Sequence, residues 1–220
     1  MRRSYEERPE TSGKTCNSVM STIFTDSIEQ AASVIADGGV IVCPSEGVYG
    51  ISCSVLNEAA VKRIIAIKHR SSTKGLIIVD SSLEYLKEYL DTSRVDDRAM
   101  ALMDGMWPGP HTFVVPVIDE FRNAAVRDDL TAGVRISAFR PFAEICLQAK
   151  TPIVSTSANI SGENPTTDID SLDPRITDNV DLVLTLPCGG LSASTSIYNT
   201  LTHTLIRPGP MWEEKLAKIK

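Results

Sequence analysis

The sequence is poor in several features that mark whole classes of function. Phe, Trp and Tyr make up only 5% of it, and 22 Lys and Arg stand against 28 Asp and Glu, for a formal net charge of -6. A general nucleic-acid coat needs surplus cations and stacking rings, so this balance argues against one while leaving room for a local basic pocket. The five cysteines, Cys16, Cys43, Cys53, Cys146 and Cys188, show no C-x-x-C spacing. Neither a zinc site nor a thioredoxin-like pair is indicated, and the odd, scattered set fits reduced cytosolic thiols. No apolar run approaches the ~18 residues that span a bilayer. Residues 1–20 are polar, carry Arg2, Arg3, Glu6, Glu7 and Arg8, and have no apolar signal-peptide centre. The P-loop, the dinucleotide G-x-G-x-x-G and the G-x-S-x-G elbow are all missing. With three His in the chain, no Ser-His-Asp or Cys-His set stands out.

What is present is an ordinary globular composition, 42% hydrophobic over 220 residues, enough for one large domain with its own core. Apolar residues recur at helical spacing in 26–37, 57–69, 96–106 and 141–150, with Asp26 or Ser27 as a first cap, Gly38-Gly39 as a stop and Pro141 in a first turn. Short apolar runs at 40–43, 76–79, 111–117, 133–136, 152–154, 180–184, 195–198 and 204–206 read as strands. Ser81 or Ser82 can cap a further helix through Leu90, and 161–178 reads as a surface loop with a short helix. Alternation of the two kinds predicts α/β layering around one sheet, mixed because the later strands follow too closely for a helix between each pair. The expected division is a flexible tail over 1–22, one domain over 23–210, and a C-terminal tail over 211–220.

Four segments look unsuited to a purely structural role. Pro44-Ser45-Glu46-Gly47-Val48-Tyr49-Gly50 follows a buried strand, where open α/β sheets place ligands. Lys68-His69-Arg70-Ser71-Ser72-Thr73-Lys74-Gly75 offers cations and hydroxyls suited to a polyphosphate, although such a run alone is more often solvated surface. Trp107-Pro108-Gly109-Pro110 makes a rigid turn whose Trp is read as a core plug in preference to a pocket wall. Ser155-Thr156-Ser157-Ala158-Asn159-Ile160-Ser161-Gly162 sets small hydroxyls and an amide at a strand end, suited to a phosphate or a zwitterion.

Together and in this order, these segments resemble the YrdC-like threonylcarbamoyl-AMP synthase family in its short, single-domain form. Residues 44–50 are similar to P-T-E-T-V-Y-G, Lys68-His69-Arg70 to K-x-R, Lys74-Gly75-Leu76 to K-G-L, 107–112 to W-P-G-P-x-T, Val134-Arg135 to V-R, and 155–162 to S-T-S-A-N-x-S-G. The resemblance runs over about residues 25–208. It implies a twisted mixed sheet flanked by helices with a large concave central cavity. It implies an enzyme that joins L-threonine, bicarbonate and ATP into threonylcarbamoyl-adenylate, releasing pyrophosphate, with Mg2+ accompanying ATP. The product serves N6-threonylcarbamoyladenosine formation at position 37 of tRNA through a separate threonylcarbamoyl transferase complex in the cytoplasm.

Roles carried over by motif place Lys68 and Arg70 as catalytic cations. Arg70, Lys74, Thr131, Ser157, Asn159 and Arg207 would bind ATP, Asn159 either steadying the strand-end loop or meeting the phosphates. Ser45, Gly47, Arg135, Ser155 and Thr195 would hold threonine; no protein metal ligand is expected. Three departures touch amino-acid recognition: Gly47 where the family usually has Thr, Val79 where its long members carry His, and Phe139-Arg140-Pro141 in place of N-H-P. The resemblance implies catalysis by positioning and charge stabilisation, without a covalent enzyme intermediate. The alternatives are a YrdC-like protein that binds RNA, weakly, without synthesis, and a paralogue that forms carbamoyl-adenylate.

Overall fold

The structure is a computed structural model that describes residues 21–69, 76–191 and 194–219. Its frame is one ten-stranded mixed sheet, in the order β1-β8-β2-β3-β7-β4-β6-β5-β9-β10. In chain order the strands are β1 (Ile23–Thr25), β2 (Ile41–Pro44), β3 (Tyr49–Ser54), β4 (Ile77–Asp80), β5 (His111–Pro116), β6 (Thr131–Ile136), β7 (Ile153–Ser157), β8 (Leu182–Leu184), β9 (Ser196–Asn199) and β10 (Thr204–Arg207). The helices are α1 (Ile28–Ala36), α2 (Glu58–Ile67), α3 (Asp97–Met106), α4 (Arg140–Ala149), α5 (Pro174–Thr177) and α6 (Trp212–Leu216).

The helices begin where local chemistry starts them. Ser27, Asn57 and Asp96 each accept a hydrogen bond from a first-turn backbone N–H, satisfying a donor that the helix itself leaves open. The α4 helix has Pro141 in its first turn and ends on Lys150 in the left-handed region. The expected helix through Leu90 is instead a chain of short 3-10 turns, opened by Ser82. The segment expected as a C-terminal tail packs down: Trp212 is 4% exposed and stacks on Tyr198.

Strand alternation divides the core in two. On one face Val40, Val42, Ile51, Ile78, Val134 and their neighbours meet α2 and α3. On the other, Ile41, Cys43, Val79, Ile153 and Leu182 meet α1 and α4. The α1–α4 layer covers only part of that second face. Where it stops, the sheet carries Gly50, Ser155 and Ser157 on that face, with Ser157 opposite Gly50 in the β3–β7 pairing. Small side chains there leave a hollow in place of a packed core. A Cβ on Gly50 would lie 3.3 Å from Ser155 Oγ and from Thr156 O, so glycine keeps this floor low.

Two strands escaped the sequence reading. The β3 strand, Tyr-Gly-Ile-Ser-Cys-Ser, is weak in strand formers, yet all six residues are buried between β2 and β7. The three-residue β1 is an edge strand with Ile23 and Phe24 exposed.

Candidate active site

The hollow is a cavity of about 220 Å³, with Ser45, Gly47, Arg127, Arg135, Thr195 and Arg207 among its walls and Gly50, Ser155 and Ser157 on its floor. Distant parts of the chain meet here because sheet order separates what sequence order joins. The β2–β3 hairpin brings 45–48, the end of β7 brings 155–157, β6 brings Arg135, and the chain entering β9 and leaving β10 brings Thr195 and Arg207. A larger cavity, about 800 Å³, is walled by Leu56, Tyr85, Tyr89 and Leu147, with none of the expected site residues.

The hairpin turn is held from both sides. Ser45 donates its backbone N–H and its hydroxyl to Val48 O, at 3.1 and 2.7 Å. The 185–191 segment lies along it, with Gly189 N donating to Ser45 O (2.9 Å) and Leu191 N to Glu46 O (3.0 Å). A Cβ on Gly189 would fall 2.9 Å from Glu46 O, so only glycine allows this approach.

At the centre stands Arg135, 4% exposed. Its Nη2 lies 3.2 Å from Glu46 Oε2, an ion-pair distance. The direction is wrong for a hydrogen bond: Nε and Nη2 of Arg135 and Oε2 of Glu46 all lack one among the described residues. Its Nη1 reaches Thr195 Oγ1 at 3.4 Å, and its guanidinium carbon sits 5.7 Å from the Phe142 ring centre. Glu46 is fixed independently, accepting from Ser137 Oγ at 2.7 Å. A buried guanidinium is thus oriented by a carboxylate and a ring while two of its donors stay unused.

Arg207 converges on the same hydroxyl. Its Nε donates to Thr195 O at 2.8 Å and its Nη2 to Thr195 Oγ1 at 3.4 Å. Burial first, and then the nearby Arg135, push the Arg207 guanidinium below its usual pKa. Two like charges around one threonine, with the Glu46 carboxylate paired to only one of them, make a place where an anion lowers the energy.

Of the sequence-predicted residues, the cavity gathers Ser45, Gly47, Arg135, Ser155, Ser157, Thr195 and Arg207. Arg70 and Lys74 lie outside the described residues. Three others, Lys68, Thr131 and Asn159, are not on the cavity wall. Lys68, expected as a catalytic cation beside the phosphates, is 2% exposed, and its Nζ donates to Ser157 O and to Asn159 O, the latter at 2.5 Å. With Ser161 N donating to Lys68 O, it braces the loop after β7 from behind. Thr131, expected at the nucleotide, gives its hydroxyl to Asp129 Oδ1 at 2.7 Å and is absent from the cavity wall. Asn159 donates to Ile160 O and Glu163 O at 2.9 and 2.7 Å, which ties the loop in the manner of the first of its two expected roles.

Sequence reasoning passed over Arg127 and the pairing of Glu46 with Arg135. Glu46 at least lies within the 44–50 segment; Arg127 sits in a polar loop with no local signal. The candidate nucleophiles are unsuited to attack. Burial pushes the Cys43 and Cys53 thiols up to about 12. His111 is fully buried with Nδ1 2.9 Å from Ser196 Oγ, and Trp107 donates Nε1–H to His111 O at 2.8 Å in a structural role.

Comparison with known proteins places this geometry. The family model Sua5_yciO_yrdC, described as telomere recombination, matches residues 33–209. A threonylcarbamoyl-AMP synthase of Xanthomonas campestris is 36% identical over 183 residues, 83% of this chain and 98% of that protein. One from Sodalis glossinidius is 36% identical over 189 residues, 85% of this chain and 99% of that protein. Among solved structures, P. abyssi Sua5 complexed with L-threonine superposes with a TM-score of 0.80 at 27% identity, over 90% of this chain and 60% of that longer one.

Proposed function

The chain belongs to the Sua5/YciO/YrdC family, and from that premise we propose that it is a threonylcarbamoyl-AMP synthase acting in tRNA modification. The observation that carries the reading is the state of Arg135. It stands on the cavity wall, and its Nε and Nη2 both lack a hydrogen-bond acceptor among the described residues, so the guanidinium has capacity left for a carboxylate. Threonine's carboxylate takes up that capacity. Ser155, Thr195 and Ser45 surround the rest of the amino acid, and Gly47 leaves room on the hairpin side.

ATP enters with its phosphates toward Arg207 and Ser157, and the family motif assigns Arg70 and Lys74 to the same phosphates. The cavity of about 220 Å³ is below the ~300 Å³ at which drug-sized ligand pockets begin, so it encloses the reacting groups while the nucleoside lies at the mouth. Threonine's amine bonds to the carbon of bicarbonate with loss of water, giving a carbamate. A carbamate oxygen then attacks the α-phosphorus, the bond from that phosphorus to the bridging oxygen breaks, and pyrophosphate leaves with the electron pair. The protein's part is to align the two reactants and to meet the charge on the phosphates; one well-placed donor is worth about 3–4 kcal/mol of barrier.

Among the described residues no three His, Cys, Asp or Glu come together around a metal, and the buried Glu46 is committed to Arg135 and Ser137. Mg2+ would come with ATP and supply charge neutralisation at the phosphates. Work in the cytoplasm beside a separate transferase complex belongs to the same reading; the four described cysteines are free thiols, and no described helix is long and apolar enough to cross a membrane.

The test is mass-spectrometric detection of threonylcarbamoyl-adenylate after incubating the chain with ATP, Mg2+, bicarbonate and threonine. Its absence under conditions where ATP and threonine bind would sink the reading. Product formed only when carbamoyl phosphate replaces threonine and bicarbonate would assign the chain to the carbamoyl-adenylate paralogues. Salt-sensitive RNA retention without ATP turnover would assign it to RNA binding.

A further inference from the structure

We propose that Arg127 is a third cation of this site and binds the polyphosphate of ATP at the end of the cavity opposite Arg135, where pyrophosphate departs. The inference rests on the synthase reading and adds to it a residue that the family motifs do not mark.

Arg127 lies in the loop between β5 and β6, and its side chain helps wall the cavity. Its backbone is fixed on both sides of a tight turn: Arg127 N donates to Thr131 O at 2.9 Å, and Leu130 N donates to Arg127 O at 3.1 Å. Asp129 reinforces the turn by accepting the Thr131 N–H at 3.1 Å and the Thr131 hydroxyl at 2.7 Å. That occupation explains what Thr131 does here. It shapes the turn that aims Arg127, and Arg127 takes the cavity position.

The guanidinium has no internal reason to be there. Its Nη1 is shut off from solvent, and nothing among the described residues accepts from it. No carboxylate among them forms an ion pair with it, although the field of Asp129 favours its charge. Burial opposes that charge more strongly and lowers the guanidinium's pKa. An orphaned buried N–H on a cation costs about 1–3 kcal/mol or more, and the cost vanishes if an anion arrives. Arg135 orphans two donors in the same cavity.

Position selects which anion. Arg127 pairs with Thr131 at the start of β6, whereas Arg135 lies four residues further along, roughly 13 Å at ~3.3 Å per residue. One carboxylate cannot satisfy both at once, and an amino acid joined end-on to a phosphate chain can. Leu76, which follows Lys74 by two residues, donates to Ala125 O at 3.0 Å and shares the cavity wall with Arg127. The end of the cavity that holds Arg127 is thus the one where the chain enters β4 at Leu76.

Calorimetric titration of the full chain with sodium tripolyphosphate, ATP and threonine, each separately, tests this. For Arg127→Gln the expectation is at least tenfold weaker binding of tripolyphosphate and of ATP, unchanged threonine binding, and a free-protein Tm equal to wild type or higher, because no internal partner is lost. Arg127→Lys should recover part of the loss by keeping the charge, and it decides the matter if the Gln variant does not fold. The proposal is overturned if Arg127→Gln binds tripolyphosphate as wild type does. It is also overturned if threonine binding falls in equal measure, or if the losses come with a lowered Tm, since both describe a structural residue. A wild-type chain that binds neither tripolyphosphate nor ATP overturns this proposal and the synthase reading together; wild-type binding with an unaffected variant overturns this one alone.

Discussion

Replacing Glu46 by Gln isolates the electrostatics of the site without changing its shape. Gln keeps the volume, and its Oε1 can still accept from Ser137 Oγ, as Glu46 does at 2.7 Å. What disappears is the carboxylate charge 3.2 Å from the buried Arg135 Nη2. Removing one partner of a buried pair typically costs about 3–5 kcal/mol, because the other charge is left uncompensated. For a chain of this size that corresponds to a Tm lowered by roughly 6–20 °C.

Ligand binding should move the other way. A threonine carboxylate on the open side of Arg135 lies roughly 6 Å from that of Glu46, and two unit charges at that distance repel by about 3 kcal/mol at an effective dielectric of ~20. Glu46→Gln should therefore bind threonine at least tenfold more tightly even if part of the orientation of Arg135 is lost. The assay is a thermal melt across a threonine series, with the stabilisation read as mass action on the folded state. A lowered Tm with an enlarged threonine shift is expected. A Tm within 2 °C of wild type would refute the buried-pair argument, and a lowered Tm with a diminished threonine shift would refute the placement of the carboxylate on Arg135.

Two more outcomes follow from other parts of the structure. Lys68→Met removes the donor that Ser157 O and Asn159 O share, so stability should fall by about 2–4 kcal/mol in urea titrations, with activity falling in step as the loop after β7 shifts; full stability with abolished activity would instead put the ammonium on the substrate. His111, its pKa lowered to about 4 by burial and then by Lys215, is neutral in the folded state down to that pH, whereas the unfolded chain takes up the proton near 6.5. Stability is thus fully present above pH 6.5 and is lost as pH falls toward 4, by about 3 kcal/mol in all. His111→Asn should flatten that slope in urea titrations at pH 7, 5.5 and 4.5, and an unchanged slope would place the acid sensitivity elsewhere.

The helices and most strands were legible in the sequence because their causes are local. Ser27, Asn57 and Asp96 cap helices that their apolar spacing already outlines, and Pro141 opens another. The motif order over 44–162 likewise led to the family, and the resemblance over about 25–208 to the seven expected residues that the cavity gathers. Local causes could not reveal β3, whose Gly and Ser residues are held extended only by β2 and β7 on either side. Nor could they tell which cations face the hollow. Lys68 ends a helix and could point anywhere; packing turns its ammonium onto two carbonyls behind the site. Arg127 reads as a solvated loop residue, and the turn tied by Asp129 and Thr131 brings it to the cavity. Sequence by itself settled which side chains are available and where the capped, amphipathic helices start, since both depend on neighbours a few positions away. The balance of charge inside the hollow was left to tertiary structure, because it depends on groups brought together from across the sheet.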